Sequence, residues 1–346
     1  MKFSNRLLTL LSTLGLGLCL HAQTSYALDK VAFQLDWLPG GDKAPVYVGV
    51  ERGFFAAEGL EVSIAQGRGS NDAISKLASG NGDVGLSDLV ALLLAKAGQT
   101  VPVSAVYSQF SKAPYAFYVL DSSPIKTVAD VAGKKIATSA FTSANIFLPL
   151  LLSTNGVDQN SIQLIKADPG ALNPMLIMGR TDVEISWITD SVRNTQQAQK
   201  AGKKLRIIPW HDAGLEFYST AVIASDKFLT ERPEVARRFL RAYAKAVAYT
   251  WEHPQESAQA VHKMVPEVDA QEAEATINSI RDLVINEVSR RDGLGAFEPT
   301  RLATTWEWTA KGQQLAVDSF DPESAINRQF NPSPTPATLS AENQAQ

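Results

Sequence analysis

The residues best equipped for chemistry in this 346-residue chain are few and widely spaced. Asp36 and Trp37 stand together just before a Pro39-Gly40-Gly41 break, and Lys43 follows it. An indole at such a rim can lie flat on a planar ligand, adding about 0.5–1.5 kcal/mol beyond the area it buries. Core packing is the competing role. Asp36 can accept from a ligand N–H or cap its own loop. Lys43 can pair with a carboxylate or sulfonate, or stand solvated. Further on, Trp187 and Asp190 repeat the combination of indole and carboxylate.

Hydroxyl and amide groups gather before expected helices: Ser70 with Asn71, Ser87 with Asp88, and the run from Thr138 to Ser143 that includes Ser139. Helix N-termini there suit an anionic or strongly accepting ligand, and each position also suits an ordinary N-cap. Glu216 and Tyr218 fall near a later chain crossing, close to Trp210, His211 and Asp212; they can line a cleft or lock a hinge.

Catalytic constellations are thin. After the N-terminal segment, the histidines are His211, His253 and His262, without a partner at metal-ligand spacing. Ser87 lies in Gly-Leu-Ser-Asp-Leu, which lacks the second glycine of a nucleophile elbow. Gly67-Arg68-Gly69 lacks the rest of a phosphate-binding or dinucleotide fingerprint. No catalytic residue, metal or cofactor is expected.

The elements that must position these residues follow an α/β rhythm. Val31 to Leu35 is a short apolar strand, and a helix follows with Pro45 in its first turn and Gly53 just past its end. Glu61 to Ile64 completes a β-α-β unit of a parallel sheet, so Asp36 and Trp37 sit at a strand's carboxyl end, where open α/β sheets bind ligands. Further strands are expected at Val84–Leu86, Val101–Val106 and Tyr115–Leu120. A second rhythm runs from Lys135, with strands at Lys135–Ala137, Ile162–Ile165, Val183–Trp187 and Leu205–Pro209. Tyr218 to Ala224 reads as a strand returning to the first unit. Beyond Ser225 the chain turns helical at Pro233–His253, Gln255–Met264, Gln271–Asn286 and Thr300–Lys311, all expected to pack on the first unit.

Residues 1–27 read as a secretory signal peptide: Lys2 and Arg6, an apolar run from Leu7 to Leu20, and small residues at Ser25 and Ala27. Its removal leaves 30 basic against 36 acidic residues, a net charge of −6, and no cysteine, since Cys19 is the only one. That balance argues against nucleic acid and anionic membrane as partners. It also excludes disulfides, thiolate chemistry and Cys-ligated metal. Residues 331–346 are polar, Pro-rich and expected to be a disordered tail.

The run Leu35 to Leu60 carries more than local chemistry. Asp36-Trp37, an aliphatic helix, then Glu51-Arg52-Gly53-Phe54-Phe55 and Glu58-Gly59-Leu60-Glu61-Val62 resemble the solute-binding proteins of the nitrate, sulfonate, taurine and thiamine-pyrimidine type (NMT1/THI5-like). Asn81-Gly82-Asp83-Val84-Gly85 and Val128 to Ile136 extend the resemblance over Val31 to Leu240. It implies a two-lobed periplasmic binding protein of type II, with a hinge of two crossings near Tyr118–Asp121 and Phe217–Ala221. Lobe I would be 28–118 and 221–330, and lobe II 119–220. It further implies a monomer that captures a small-molecule ligand in the periplasm for an inner-membrane ATP-binding-cassette permease. The pyrimidine branch carries Asn, His and Ala-Gly where Gly40, Lys43, Ala44 and Pro45 stand here. Lys43 in place of that histidine turns the expectation toward a planar, aromatic or heteroaromatic solute with an anionic group. Aliphatic sulfonates and pyrimidine precursors are the alternatives. A pyrimidine-precursor synthase, or a sensor for a membrane receptor, is the rival of another class; the synthases carry a cysteine-rich metal motif that the mature chain lacks.

Overall fold

The computed structural model describes residues 27–213 and 217–332. The expected signal peptide and Cys19 therefore lie outside the described residues, Ala27 apart, as do Glu216 and residues 333–346 of the expected tail. The first unit opens with β1 (Asp29–Gln34), α1 (Ala44–Glu51), the single turn α2 (Phe54–Ala57) and β2 (Leu60–Ala65). Then come α3 (Ser70–Ala78), β3 (Val84–Asp88), α4 (Leu89–Gly98) and β4 (Val103–Ser108). Pro45 sits in the first turn of α1, and Gly53 ends that helix at φ +71°, a left-handed conformation that glycine adopts without a Cβ penalty.

The chain next builds β5 (Tyr115–Leu120), β6 (Lys135–Thr138), α5 (Ala144–Thr154), β7 (Gln163–Lys166) and α6 (Pro169–Ile177). It continues with β8 (Val183–Trp187), α7 (Ser191–Lys200) and β9 (Leu205–Pro209). After β10 (Thr220–Ser225) the helices are α8 (Asp226–Glu231), α9 (Pro233–Glu252), α10 (Pro254–Met264), α11 (Ala270–Ser279), α12 (Arg281–Val284), α13 (Glu287–Asp292) and α14 (Pro299–Gly312).

Two five-stranded sheets result, ordered β2-β1-β3-β10-β4 and β7-β6-β8-β5-β9. Both are mixed where a parallel sheet was expected. Each takes one antiparallel strand from the far side of a crossing: β10 sits between β3 and β4, and β5 between β8 and β9. The lobe boundary expected at 118/119 falls inside β5, all of which belongs to the second sheet. The first crossing is instead residues 109–114, between β4 and β5, and the second lies between β9 and β10. In both sheets the strand order reverses at the first strand, between β1 and β3 and between β6 and β8, which opens a crevice at the strands' carboxyl ends.

Cores explain the helices. Phe33 and Phe55 stack on Phe239 and Tyr243 of α9, with Phe55 and Phe239 centroids 5.0 Å apart. A second cluster runs through both lobes: Leu92 of α4, Tyr115 and Phe117 of β5, Phe147 of α5, Trp210, Phe217 and Trp306. Phe147 and Phe217 lie 4.5 Å apart there, centroid to centroid. The expectation that every C-terminal helix packs on the first lobe fails for α14. It lies against α4 of the first lobe and α5 of the second, and Gln313 Nε2 donates to Ile146 O at 2.7 Å. The apolar face of α14 is buried by bridging the two, with Trp306 also packed edge-on against Phe320. Likewise Gln271–Asn286 is not one helix: Asn286 leaves it to cap α13, accepting from Val288 N at 3.0 Å.

Candidate functional site

The crevices of the two sheets face each other, and the cleft between them is lined by eleven residues, among them Asp36, Trp37, Lys43 and Ser70 from the first lobe and Trp187 and Asp190 from the second. The first-lobe wall is built by the break after β1. Gly41 tucks against α11, where a β-carbon would stand 2.2 Å from Ala273 O, so the position excludes any side chain. The turn then carries Asp42 and Lys43 into α1. Gln109 Nε2 donates to Asp42 O at 3.1 Å while its Oε1 accepts from Tyr243 Oη at 2.5 Å, which fixes the turn from below.

Lys43 is neither a solvated loop lysine nor a free partner for an anion. It is 1 % exposed, with Nζ 2.7 Å from Asp36 and 2.9 Å from Asp42. Burial pulls its pKa down, but Asp36 and Asp42 more than offset that and keep it protonated. Its charge is already matched. Lys43 Nζ also stands 5.9 Å over the Trp187 ring, a cation–π contact across the lobes. Tyr115 meets the same indole edge-on at 5.8 Å.

Asp190 of the second lobe accepts from Ser186 Oγ at 2.5 Å and pairs with Arg193 one turn along. Behind it Glu184 is buried, accepting from Asn194 Nδ2 at 3.0 Å. Burial, with the Asp190 charge, pushes the Glu184 pKa up to about 8, so it stands as a neutral acid at pH 7.

None of the other expected site residues among the described ones lines the cleft; Asn71, Asp88, Ser139 and Ser143 make contacts across the lobes, and Ser87 and Tyr218 do not. Asp88 caps α4 through Val90 N at 3.3 Å, and in the same buried position accepts from Ser143 Oγ at 2.6 Å and from Tyr115 Oη. Ser139 Oγ donates to Arg68 O at 2.8 Å, and Asn71 N to Phe141 O at 3.2 Å, both across the lobes. Ser87 Oγ is buried against Asp88 O at 3.1 Å. Tyr218 lies elsewhere, its hydroxyl accepting from Glu298 N at 2.8 Å. Of these groups only Asp88 caps a helix through its side chain, and the hydroxyls of Ser87, Ser139, Ser143 and Tyr218 are engaged by protein.

Sequence reasoning missed Asp42, Gly69, Thr142, Ser186 and Thr189 on the cleft wall. Asp42, Ser186 and Thr189 flank residues already singled out, a signal available in principle; Thr142 sat inside the hydroxyl run. In this closed arrangement the cleft holds a cavity of about 10 Å³, the space of one water. An organic solute requires the lobes to part.

A family model described as NMT1/THI5 like matches residues 41–257. A putative thiamine biosynthesis protein of Haemophilus influenzae is 28% identical over 239 residues, covering 68% of this chain and 74% of that one. The riboflavin-binding protein RibY of Chloroflexus aurantiacus is 22% identical over 313 residues, 88% and 87% of the two chains. A yeast 4-amino-5-hydroxymethyl-2-methylpyrimidine phosphate synthase, THI13 of Saccharomyces cerevisiae, is 27% identical over 237 residues, 65% and 68%. Among solved structures, the alkanesulfonate-binding protein SsuA of Xanthomonas axonopodis pv. citri superposes with a TM-score of 0.67 at 14% identity, covering 88% and 99%. A Candida albicans protein described as having the generic periplasmic binding protein fold gives 0.66 at 16%, covering 87% and 97%. The fold is thus that of periplasmic binding proteins.

Proposed function

The chain belongs to the NMT1/THI5-like family, and from that premise we propose that it captures a small planar, aromatic or heteroaromatic solute in the periplasm and delivers it to an inner-membrane permease of an ATP-binding-cassette importer. The observation that carries this reading is the cleft between the lobes, with Trp37 presented from one wall and Trp187 from the other. Indole faces suit a flat ring, and closure of the lobes removes it from water. The riboflavin-binding relative, matched over most of both chains, supports a planar ligand. The anionic group expected from Lys43 loses its ground, because Asp36 and Asp42 already neutralise that lysine.

Capture proceeds without bond making. The lobes part, the solute enters between the indoles, and closure re-forms contacts such as Ser139 with Arg68. Affinity follows the difference between open and closed states. A synthase is the second reading, supported by the name of the yeast relative. Lys43 stays protonated beside two carboxylates, which makes it a poor nucleophile. Mass spectrometry for a newly formed pyrimidine phosphate, the product such a synthase makes, separates the two, since a binding protein forms none.

The test of binding is a thermal-shift panel of riboflavin, aminopyrimidines, taurine and alkanesulfonates. A cognate solute at 100 times its dissociation constant adds about 2.7 kcal/mol of stability. A midpoint raised only by taurine or an alkanesulfonate contradicts the planar reading.

A further inference from the structure

We infer that Asp42 sets the charge selectivity of the cleft, so that it accepts planar solutes with a neutral or cationic edge and turns planar anions away. The inference rests on the planar-solute reading above and adds to it the sign of the charge and the residue responsible.

The two cations at the cleft are both matched. Lys43 pairs with Asp36 at 2.7 Å, and Arg193 pairs with Asp190. Asp42 is the third carboxylate at the cleft, beside Asp36 and Asp190, 2.9 Å from the same lysine and 7 % exposed, and it leaves the group one negative charge in surplus. Its backbone is held in place: its carbonyl oxygen is tied to Gln109, and Gly41 before it is wedged on α11. Burial pushes the Asp42 carboxyl upward; Lys43 pulls it back, while Asp190 and Asp36 add to the rise. An anionic ligand would add a fourth like charge to a desolvated group, whereas a cation or an N–H edge would relieve the repulsion.

The aromatic walls act in the same direction. Ring faces carry the negative side of the indole quadrupole, and Lys43 already stands 5.9 Å over Trp187. The Trp37 Nε1 donor is buried without an acceptor among the described residues, and a neutral ring nitrogen or carbonyl on the solute would satisfy it.

Three planar probes of nearly equal size and different charge test this: benzamidine, benzamide and benzoate, titrated calorimetrically into the mature protein at pH 7.5. Benzamidine is expected to bind at least roughly tenfold tighter than benzoate, with benzamide between them. Asp42→Asn is expected to shrink the benzamidine-to-benzoate ratio by roughly fivefold or more, mainly by strengthening benzoate. A urea melt checks that the variant is folded; if it is not, the wild-type ratio alone decides. Benzoate binding as tightly as benzamidine, or a folded Asp42→Asn protein with an unchanged ratio, overturns the inference. Failure of all three probes to bind at millimolar concentration removes the planar-solute reading, and the inference with it.

Discussion

The Asp88 carboxylate, at the carboxyl end of β3 in the first lobe, accepts a hydrogen bond from the Ser143 hydroxyl, at the head of α5 in the second, over 2.6 Å. Both residues are fully buried. One carboxylate thereby caps α4 and ties the two lobes together behind the cleft. Burial pushes the Asp88 pKa up to about 6, with the Ser143 and Tyr115 hydroxyls drawing it back, so the tie is made by an anion at pH 7.

Ser143→Ala removes one donor from that anion and leaves Tyr115 and Val90 to hold it. The expected cost is about 1–3 kcal/mol, read as a lower urea midpoint with the slope unchanged. Small-angle scattering on the same variant should show a larger radius of gyration for the free protein. An unchanged midpoint and radius would mean that the contact carries no closure energy.

Gly69 faces Phe141 across the mouth of the cleft, at φ +150°, and an added β-carbon would lie 2.4 Å from the Phe141 backbone. Gly69→Ala should therefore keep the lobes apart without disturbing either sheet. The solute identified in the thermal-shift panel should bind it at least roughly tenfold more weakly, while the stability of the apo protein falls by only about 1–2 kcal/mol. Retained affinity would show that the closed contact is dispensable.

Lys43→Met strips the cation from two buried carboxylates. Removing one partner of a buried pair costs roughly 3–5 kcal/mol. The urea midpoint should fall accordingly, whichever ligand is present. A variant as stable as the parent would mean that the pairing is not maintained in solution.

Glu184 gives a pH signature. Its folded pKa, about 8, lies above the unfolded carboxyl value of 4.5, so the folded state holds the proton more tightly. Stability from this group is complete below pH ~4.5 and is lost as pH rises through the folded value near 8. Across that window the parent should lose on the order of 5 kcal/mol relative to Glu184→Gln, because glutamine cannot ionise. Parallel stability curves for the two proteins would contradict the assignment.

Much of this was legible beforehand. The β1–α1–β2 unit, the cap at Asp88 and the strand at Tyr115–Leu120 follow from local periodicity and turn chemistry, which act over a few residues. Asp36, Trp37, Trp187 and Asp190 were legible as cleft residues because strand ends converge in such sheets. What sequence hid was long-range. Nothing local distinguishes a serine that donates to a solute from Ser143, whose partner Asp88 is 55 residues away. Nor does it show that Lys43 meets Asp36 across a glycine turn, which converts an apparent anion site into a neutralised one. The insertion of β10 between β3 and β4, and of β5 between β8 and β9, likewise depends on pairing across the crossings.

The central claim is that Trp37 and Trp187 grip a planar solute from opposite lobes, and calorimetric titration of the panel's best planar ligand into Trp37→Ala and Trp187→Ala tests it most directly. Both indoles are only partly buried on the cleft wall. Each truncation is expected to weaken binding by roughly 1–3 kcal/mol while the apo protein loses less than the roughly 3–5 kcal/mol typical of a core tryptophan. Affinity retained in both folded variants, or an apo midpoint that collapses with binding intact in the folded fraction, would contradict the account.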